Sequence, residues 1–118
     1  EYRQRVAPLD WTDGDAVYVT VRALRPATTK LELVLRKEDG SAWSATLGLT
    51  ADWRRLRLPL SAFRYRADKT AVPPDGKSLA PLAECESCEF IMGRWLFPKT
   101  FSEEQGYEVR YVGSAPES

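Results

Sequence analysis

The sequence contains no histidine, only two cysteines and no excess of charge of either sign. Without histidine the chain lacks the commonest general base and the commonest zinc ligand, which argues against an enzyme. The 17 basic residues are balanced by 17 acidic residues, and this balance argues against nucleic-acid binding, which needs net positive charge or a basic stripe. Apolar runs are only a few residues long, so we expect no segment that crosses a membrane.

The length of 118 residues predicts one domain. We place this domain at residues 1–113 and interpret residues 114–118 as a tail or linker. The chain starts at Glu1 with neither an initiator Met nor a signal sequence, which suggests a module of a longer protein.

Cys85 and Cys88 form a CxxC motif flanked by glutamates. A zinc site needs further ligands, and thioredoxin chemistry needs a βαβ context, and the sequence shows neither. The motif therefore favours a local disulfide that staples a loop and contributes about 2 kcal/mol. Such a disulfide implies an oxidising compartment, so we expect an extracellular or periplasmic location.

Alternating apolar and polar side chains predict strands along most of the chain. The clearest stretch runs from Leu31 to Phe63, where two alternating runs meet at an Asp39-Gly40 turn and a third run follows. Three consecutive antiparallel strands are the simplest interpretation of this stretch. Pro59 cannot donate a ladder hydrogen bond, so it should lie at a sheet edge or a bulge.

Four further strands are predicted at residues 2–9, 16–24, 89–97 and 106–113. The strand at 89–97 has two apolar faces, which indicates a central position in a sheet. In the last strand, Tyr107, Val109 and Tyr111 should share one face. Six or seven strands with almost no helix predict an all-β fold, an antiparallel β-sandwich.

A turn near the start of the chain concentrates carboxylates at Asp10, Asp13 and Asp15. Clustered carboxylates could bind calcium, although Asp and Gly also dominate ordinary turns. The pair Asp13/Asp15 and the pair Glu103-Glu104 are the obvious candidates for carboxylate catalysis. Both lie in predicted loops without a base or a metal signature, so we expect no enzyme.

The Asp-Gly hairpin, the Asp52-Trp53 dipeptide and the segment LRLPLSAF at residues 56–63 together resemble noncatalytic modules of bacterial carbohydrate-active enzymes. These modules are jelly rolls of the galactose-binding-domain-like type, and they include carbohydrate-binding modules similar to family 11. The resemblance extends to Phe90–Phe97 and Tyr107–Val112.

This resemblance implies a secreted carbohydrate-binding module that targets an attached glycoside hydrolase or lyase to a polysaccharide. The alternative is a structural accessory domain that packs against the catalytic domain without binding sugar. The resemblance also implies that Trp53, Pro59 and Phe63 are framework residues. A structural calcium is a further implication, with the three aspartates of the early turn as the matching ligands.

Sugar recognition favours aromatic faces together with polar groups for the hydroxyls. Trp11 lies in a polar turn and Trp95 follows Gly93-Arg94, so both are candidates. Trp43 shares a face with Leu47 and Leu49 and should be buried, although its place beside the turn could expose it. The predicted carbohydrate-binding residues are Trp11, Trp43, Arg57, Tyr65, Arg94 and Trp95.

Arginines are concentrated around the third strand of the central stretch. Arg55 and Arg57 share the face opposite Leu56, and guanidinium groups pair bidentately with carboxylate or sulfate, so an acidic polysaccharide would suit this surface. An ordinary solvated face with salt bridges to Glu32 or Glu108, or protection of an edge strand by charge, would explain the same pattern.

Overall fold

The computed structural model describes residues 14–38, 40–65, 82–92 and 106–116, and the backbone of residues 2–6. The strands in this part of the chain pair antiparallel throughout. They are β1 (Tyr2–Val6), β2 (Ala16–Ala23), β3 (Lys30–Lys37), β4 (Ala42–Gly48), β5 (Arg54–Pro59), β6 (Arg64–Tyr65), β7 (Cys85–Met92) and β8 (Tyr107–Gly113). Short 3₁₀ turns lie at Leu60–Ala62 and Leu82–Glu84.

The strands form two sheets, one of five strands in the order β1-β7-β3-β4-β6 and one of three strands in the order β5-β2-β8. Alternate residues of each sheet face the other sheet and bury a shared apolar core. Val19 of β2, Leu33 of β3 and Phe90 of β7 are among its fully buried members. The predicted all-β antiparallel sandwich is confirmed, and no helix among the described residues has the length and apolar character to cross a membrane.

Strands β3 and β4 form the predicted hairpin. Gly40 adopts a φ of 92°, and its amide donates to the Lys37 carbonyl at 3.0 Å. A positive φ is the reason why glycine is favoured at this turn. The first two runs of the central stretch are therefore paired as expected.

Strand β5 does not pair with β4. This corrects the interpretation of the central stretch as three consecutive antiparallel strands of one sheet. It pairs with β2 in the other sheet. The chain crosses between the sheets just after β4, where the Ala23 amide donates to the Thr50 carbonyl at 2.7 Å. Because β5 is an edge strand, the prediction that Pro59 lies at an edge is confirmed.

Strand β7 begins at Cys85, four residues earlier than predicted, and lies between β1 and β3 as a central strand. Both of its faces are buried. The predicted disulfide is corrected, because Cys85 and Cys88 are free thiols. The two residues belong to one continuous strand, where residues three apart are separated by roughly 10 Å, and a disulfide requires about 7 Å or less between Cα atoms.

Strand β8 contains a bulge that changes the predicted faces. Val109 pairs with Val21 but Tyr111 pairs with Thr20, so the register shifts at Arg110. Val109 and Val112 pack on the core, and Tyr111 turns to the outer face of the sheet. The prediction that Tyr111 shares a face with Val109 is therefore wrong, because the extra residue reverses the alternation.

Candidate functional site

The outer face of the three-stranded sheet carries an open cleft of about 220 Å³. Two cross-strand rows build it, one formed by Arg57, Tyr18 and Gly113 and the other by Arg55, Thr20 and Tyr111. These residues face outward because their neighbours on each strand face the core. We call this site the tyrosine cleft, and its lining residues are Tyr18, Val19, Thr20, Arg55, Leu56, Arg57, Tyr111 and Pro116.

Arg57 lies on one side of the tyrosine cleft. Its Nε donates to the Tyr18 hydroxyl at 3.3 Å, and its Nη2 lies 3.2 Å from Asp15 Oδ2. The hydrogen bond to Tyr18 and the charge of Asp15 raise the pKa of Arg57, so it stays protonated. Its side chain remains 50% exposed. The guanidinium group is therefore oriented by its neighbours and still accessible to a ligand.

Tyr111 lies on the opposite side and is fixed by residues that follow it in the chain. Its hydroxyl donates to the Ala115 carbonyl at 2.6 Å. A Cβ atom at Gly113 would stand 2.5 Å from the Tyr111 hydroxyl oxygen and 2.9 Å from Cζ, closer than such contacts occur. The glycine thus lets the ring lie close to the strand backbone. The aromatic wall of the cleft is preorganised as a result.

A second group of side chains, which we call the Trp53 cluster, lies next to the cleft on the same face. The guanidinium carbons of Arg22 and Arg110 lie 4.7 Å and 4.9 Å from the centroid of the Trp53 ring. Both distances fall within the range of cation–π contacts. Arg22 also forms an ion pair with Glu108, its cross-strand partner, at 2.6 Å.

Trp53 was predicted to be a framework residue. Its ring is half-buried, and it lies outside the buried core clusters of the described residues. The other two predicted framework residues behave as expected, since Phe63 is buried in the core and Pro59 ends an edge strand. Trp53 therefore supports the outer face and not the interior.

The outer face is cationic although the chain as a whole is neutral. Among the described residues it carries four arginines, Arg22, Arg55, Arg57 and Arg110, against the two acids Asp15 and Glu108. The ordinary explanation for Arg55 and Arg57 was a salt bridge to Glu32 or Glu108. Arg57 instead pairs with Asp15. Glu108 pairs with Arg22, and Glu32 lies on the five-stranded sheet.

The structure separates the predicted carbohydrate-binding residues. Arg57 lines the cleft, whereas Trp43 and Tyr65 pair with each other on the five-stranded sheet. Trp43 is 3% exposed and meets the Tyr65 ring edge-on, with centroids 5.3 Å apart. A buried ring offers no face to a sugar, so the assignment of Trp43 as a contact residue is corrected. Trp11, Arg94 and Trp95 lie outside the described residues.

Sequence reasoning missed Tyr18, Tyr111, Arg22 and Arg110. The alternation of β2 already placed Tyr18 and Arg22 on the face opposite the valines, so this signal was available. The position of Tyr111 depends on the bulge in β8, which strict alternation cannot reveal.

The outer face of the five-stranded sheet is a less accessible alternative. Three of its polar residues, Glu32, Glu89 and Ser87, are at most 8% exposed, and Arg36 Nε donates to Glu89 Oε1 at 2.6 Å. A charged group that is buried away from water is tolerated when it is paired and hydrogen-bonded, as Glu89 is with Arg36. Thr46 and Arg64 remain exposed on the same face.

Of the predicted calcium ligands, only Asp15 is described, and it lies beside Arg57. Asp10 and Asp13 fall outside the described residues. The described residues contain no group of three or more acidic or cysteine side chains arranged to hold a metal ion. A calcium ion at the three aspartates stays a prediction.

Comparison with known proteins gives one informative likeness. No protein-family model and no curated protein matches the chain. Among solved structures it is similar to the family 11 carbohydrate-binding module of the cellulosomal cellulase Lic26A-Cel5E of Clostridium thermocellum, with a TM-score of 0.54 and 17% sequence identity. The match covers 95% of this chain and 62% of that structure, so the chain spans less than two thirds of its length. At this identity the likeness establishes a shared β-sandwich fold.

Proposed function

We propose that the chain is a noncatalytic carbohydrate-binding module and that the tyrosine cleft is its sugar-binding site. The observation that carries this proposal is the convergence of Tyr18, Tyr111 and Arg57 in one open cleft. Aromatic rings pack on the apolar C–H face of a sugar, and hydroxyl and guanidinium groups satisfy its oxygen atoms. The likeness in fold to a carbohydrate-binding module supports the same function.

The cleft is built on strands, and its side chains are held by their neighbours. Tyr18 and Arg57 contact each other, and Tyr111 is fixed by Ala115 and Gly113. Side chains that are already oriented lose little conformational entropy when a ligand binds. This arrangement suits a flexible polysaccharide, which itself pays an entropic cost on binding.

As part of the proposal, the module belongs to a longer protein and targets an attached glycoside hydrolase or lyase to its polysaccharide. Binding through the module raises the local concentration of substrate at the catalytic domain without any new catalytic contact. A polysaccharide substrate of an attached hydrolase or lyase lies outside the cytoplasm, so we propose an extracellular or periplasmic location.

Affinity electrophoresis in gels that contain different polysaccharides tests the proposal. We expect at least one polysaccharide to retard the intact protein. The variants Tyr111→Ala and Arg57→Ala should abolish most of the retardation, because each removes one wall of the cleft. The variant Arg64→Ala is the matched control, since Arg64 is also an exposed strand arginine but lies on the other sheet.

Two results would contradict the proposal. One is the absence of retardation by every polysaccharide tested, which would favour the structural accessory domain. The other is unchanged retardation of both cleft variants, which would show that sugar binds elsewhere. Thermal unfolding of each variant checks that the fold is intact.

A further inference from the structure

The two contacts that orient the guanidinium group of Arg57 are long. The distances to Tyr18 Oη and Asp15 Oδ2 are 3.3 Å and 3.2 Å. Hydrogen bonds from a guanidinium group to a carboxylate are typically about 2.7–2.9 Å long. Asp15 is also 86% exposed, and surface ion pairs of this kind exchange readily with other ions.

We infer that the tyrosine cleft selects glycans with carboxylate or sulfate groups, and that Asp15 occupies the position where Arg57 would bind such a group. The inference rests on the proposed function of the cleft. Asp15 presents one carboxylate oxygen to one guanidinium nitrogen. A carboxylate or sulfate on a sugar in the cleft could instead accept two parallel hydrogen bonds from the planar guanidinium fork.

Arg55 places a second guanidinium group beside the cleft. It lies two residues from Arg57 on one strand face, which places the two Cα atoms roughly 7 Å apart. Both arginines line the cleft with Tyr18 and Tyr111. A sugar ring packed against the tyrosines would therefore have a cation within reach at two places along the strand.

The electrostatic surroundings favour the same class of ligand. The outer face carries four arginines among its described residues, of which Arg22 and Arg57 pair with Glu108 and Asp15, so guanidinium groups are concentrated on this face. A neutral glycan would gain little from this field, whereas an anionic glycan would be attracted to it. Because the whole chain is neutral, this concentration of arginines is a property of this face alone.

The inference predicts opposite effects for two substitutions. Asp15→Asn removes the competing carboxylate and should tighten binding of an anionic glycan by about two- to fivefold, the range expected for one surface ion pair. Arg57→Lys keeps the charge but removes the fork, so it should weaken binding by about tenfold or more. The variant Arg64→Lys, on the other sheet, should have no effect.

Isothermal titration calorimetry at about 0.15 M salt, where long-range attraction is screened, provides the test. The ligand pairs are polygalacturonate with its methyl ester, and dextran sulfate with dextran. The two members of each pair share a polysaccharide backbone, and only one of them is charged. Comparing the two pairs shows whether the cleft prefers a carboxylate or a sulfate group. Polyglutamate is the control for a polyanion that is not a glycan. We expect an anionic glycan to bind and its neutral counterpart to bind at least tenfold more weakly.

The outcomes separate this inference from the proposed function. Equal binding of a charged glycan and its neutral counterpart, or no effect of Asp15→Asn, would overturn the inference and leave carbohydrate binding intact. Equal binding of polyglutamate would overturn it as well, because the face would then attract any polyanion. Binding of none of these ligands or other polysaccharides would contradict both proposals.

Discussion

The two buried thiols of β7 should make the fold sensitive to alkaline pH. Cys85 is 3% exposed and Cys88 is fully buried. Burial disfavours the thiolate and raises the pKa of Cys85 from 9.0 to about 11 and that of Cys88 from 9.0 to about 12. Unfolding exposes both groups and returns their pKa values to the ordinary range.

The direction of the change in stability with pH follows from the number of protons that the folded and the unfolded states bind. Between about pH 8 and pH 10 the unfolded chain loses both thiol protons and the folded protein keeps them, so stability falls as pH rises. Each thiol contributes one full ionisation in this window, and the free energy of unfolding should fall by roughly 2–3 kcal/mol in total. Below about pH 8 the contribution is fully present.

Urea denaturation followed by tryptophan fluorescence measures this change. The experiment compares the protein with the double variant Cys85→Ala/Cys88→Ala at pH 8 and pH 10 under reducing conditions. Lysine and tyrosine ionisation is common to both proteins, so the difference between their pH dependences reports the thiols. Equal pH dependence of the two proteins would refute the reasoning.

A thiol titration tests the same pair directly. We expect the folded protein at pH 8 to react slowly with a disulfide reagent, because thiolate is the reactive form and the thiols are buried. After unfolding without reductant, two thiols should react. The absence of reaction after unfolding would show that the predicted disulfide forms after all.

Three further substitutions probe the cleft, the hairpin and the core. Gly113→Ala should push the Tyr111 ring away from the Ala115 carbonyl, which should lower the melting temperature and weaken polysaccharide retardation. Gly40→Ala should cost about 1 kcal/mol in urea denaturation, because φ is positive there, and should leave retardation unchanged. Trp43→Phe should lower the melting temperature but keep retardation in affinity gels, because the Trp43 ring is buried away from the cleft.

Local alternation was sufficient to predict the fold class. The period of two correctly located most of β2, β3, β4 and β8, and the glycine at position 40 correctly located the hairpin turn. The sheet that each strand joins was not predictable in the same way. Strand β5 pairs with β2, more than 30 residues earlier, and this partnership depends on the tertiary packing of the two sheets.

The candidate site was predictable only where it follows from alternation. Arg55 and Arg57 were placed correctly on one outward face of their strand. Tyr111 was not, because one bulge residue in β8 reverses the faces beyond it. The cysteine motif was misinterpreted because the sequence contains no local signal that its four residues belong to a buried strand. For Trp43, burial was expected from its face, and its selection as a contact residue gave too much weight to the nearby turn.

Protection of edge strands by charge accounts for only part of the cationic face. Such protection explains Arg55 and Arg57, since β5 is an edge strand whose backbone could otherwise pair with another chain. It does not explain Arg22, which belongs to the central strand β2, where both edges of the backbone are already paired. Arg22 and Arg110 instead hold positive charge against the Trp53 ring, next to the tyrosine cleft. Arg110 lies on β8, the other edge strand, so among the described arginines of this face Arg22 is the one that edge protection leaves unexplained, and an extended ligand that crosses the sheet would reach it.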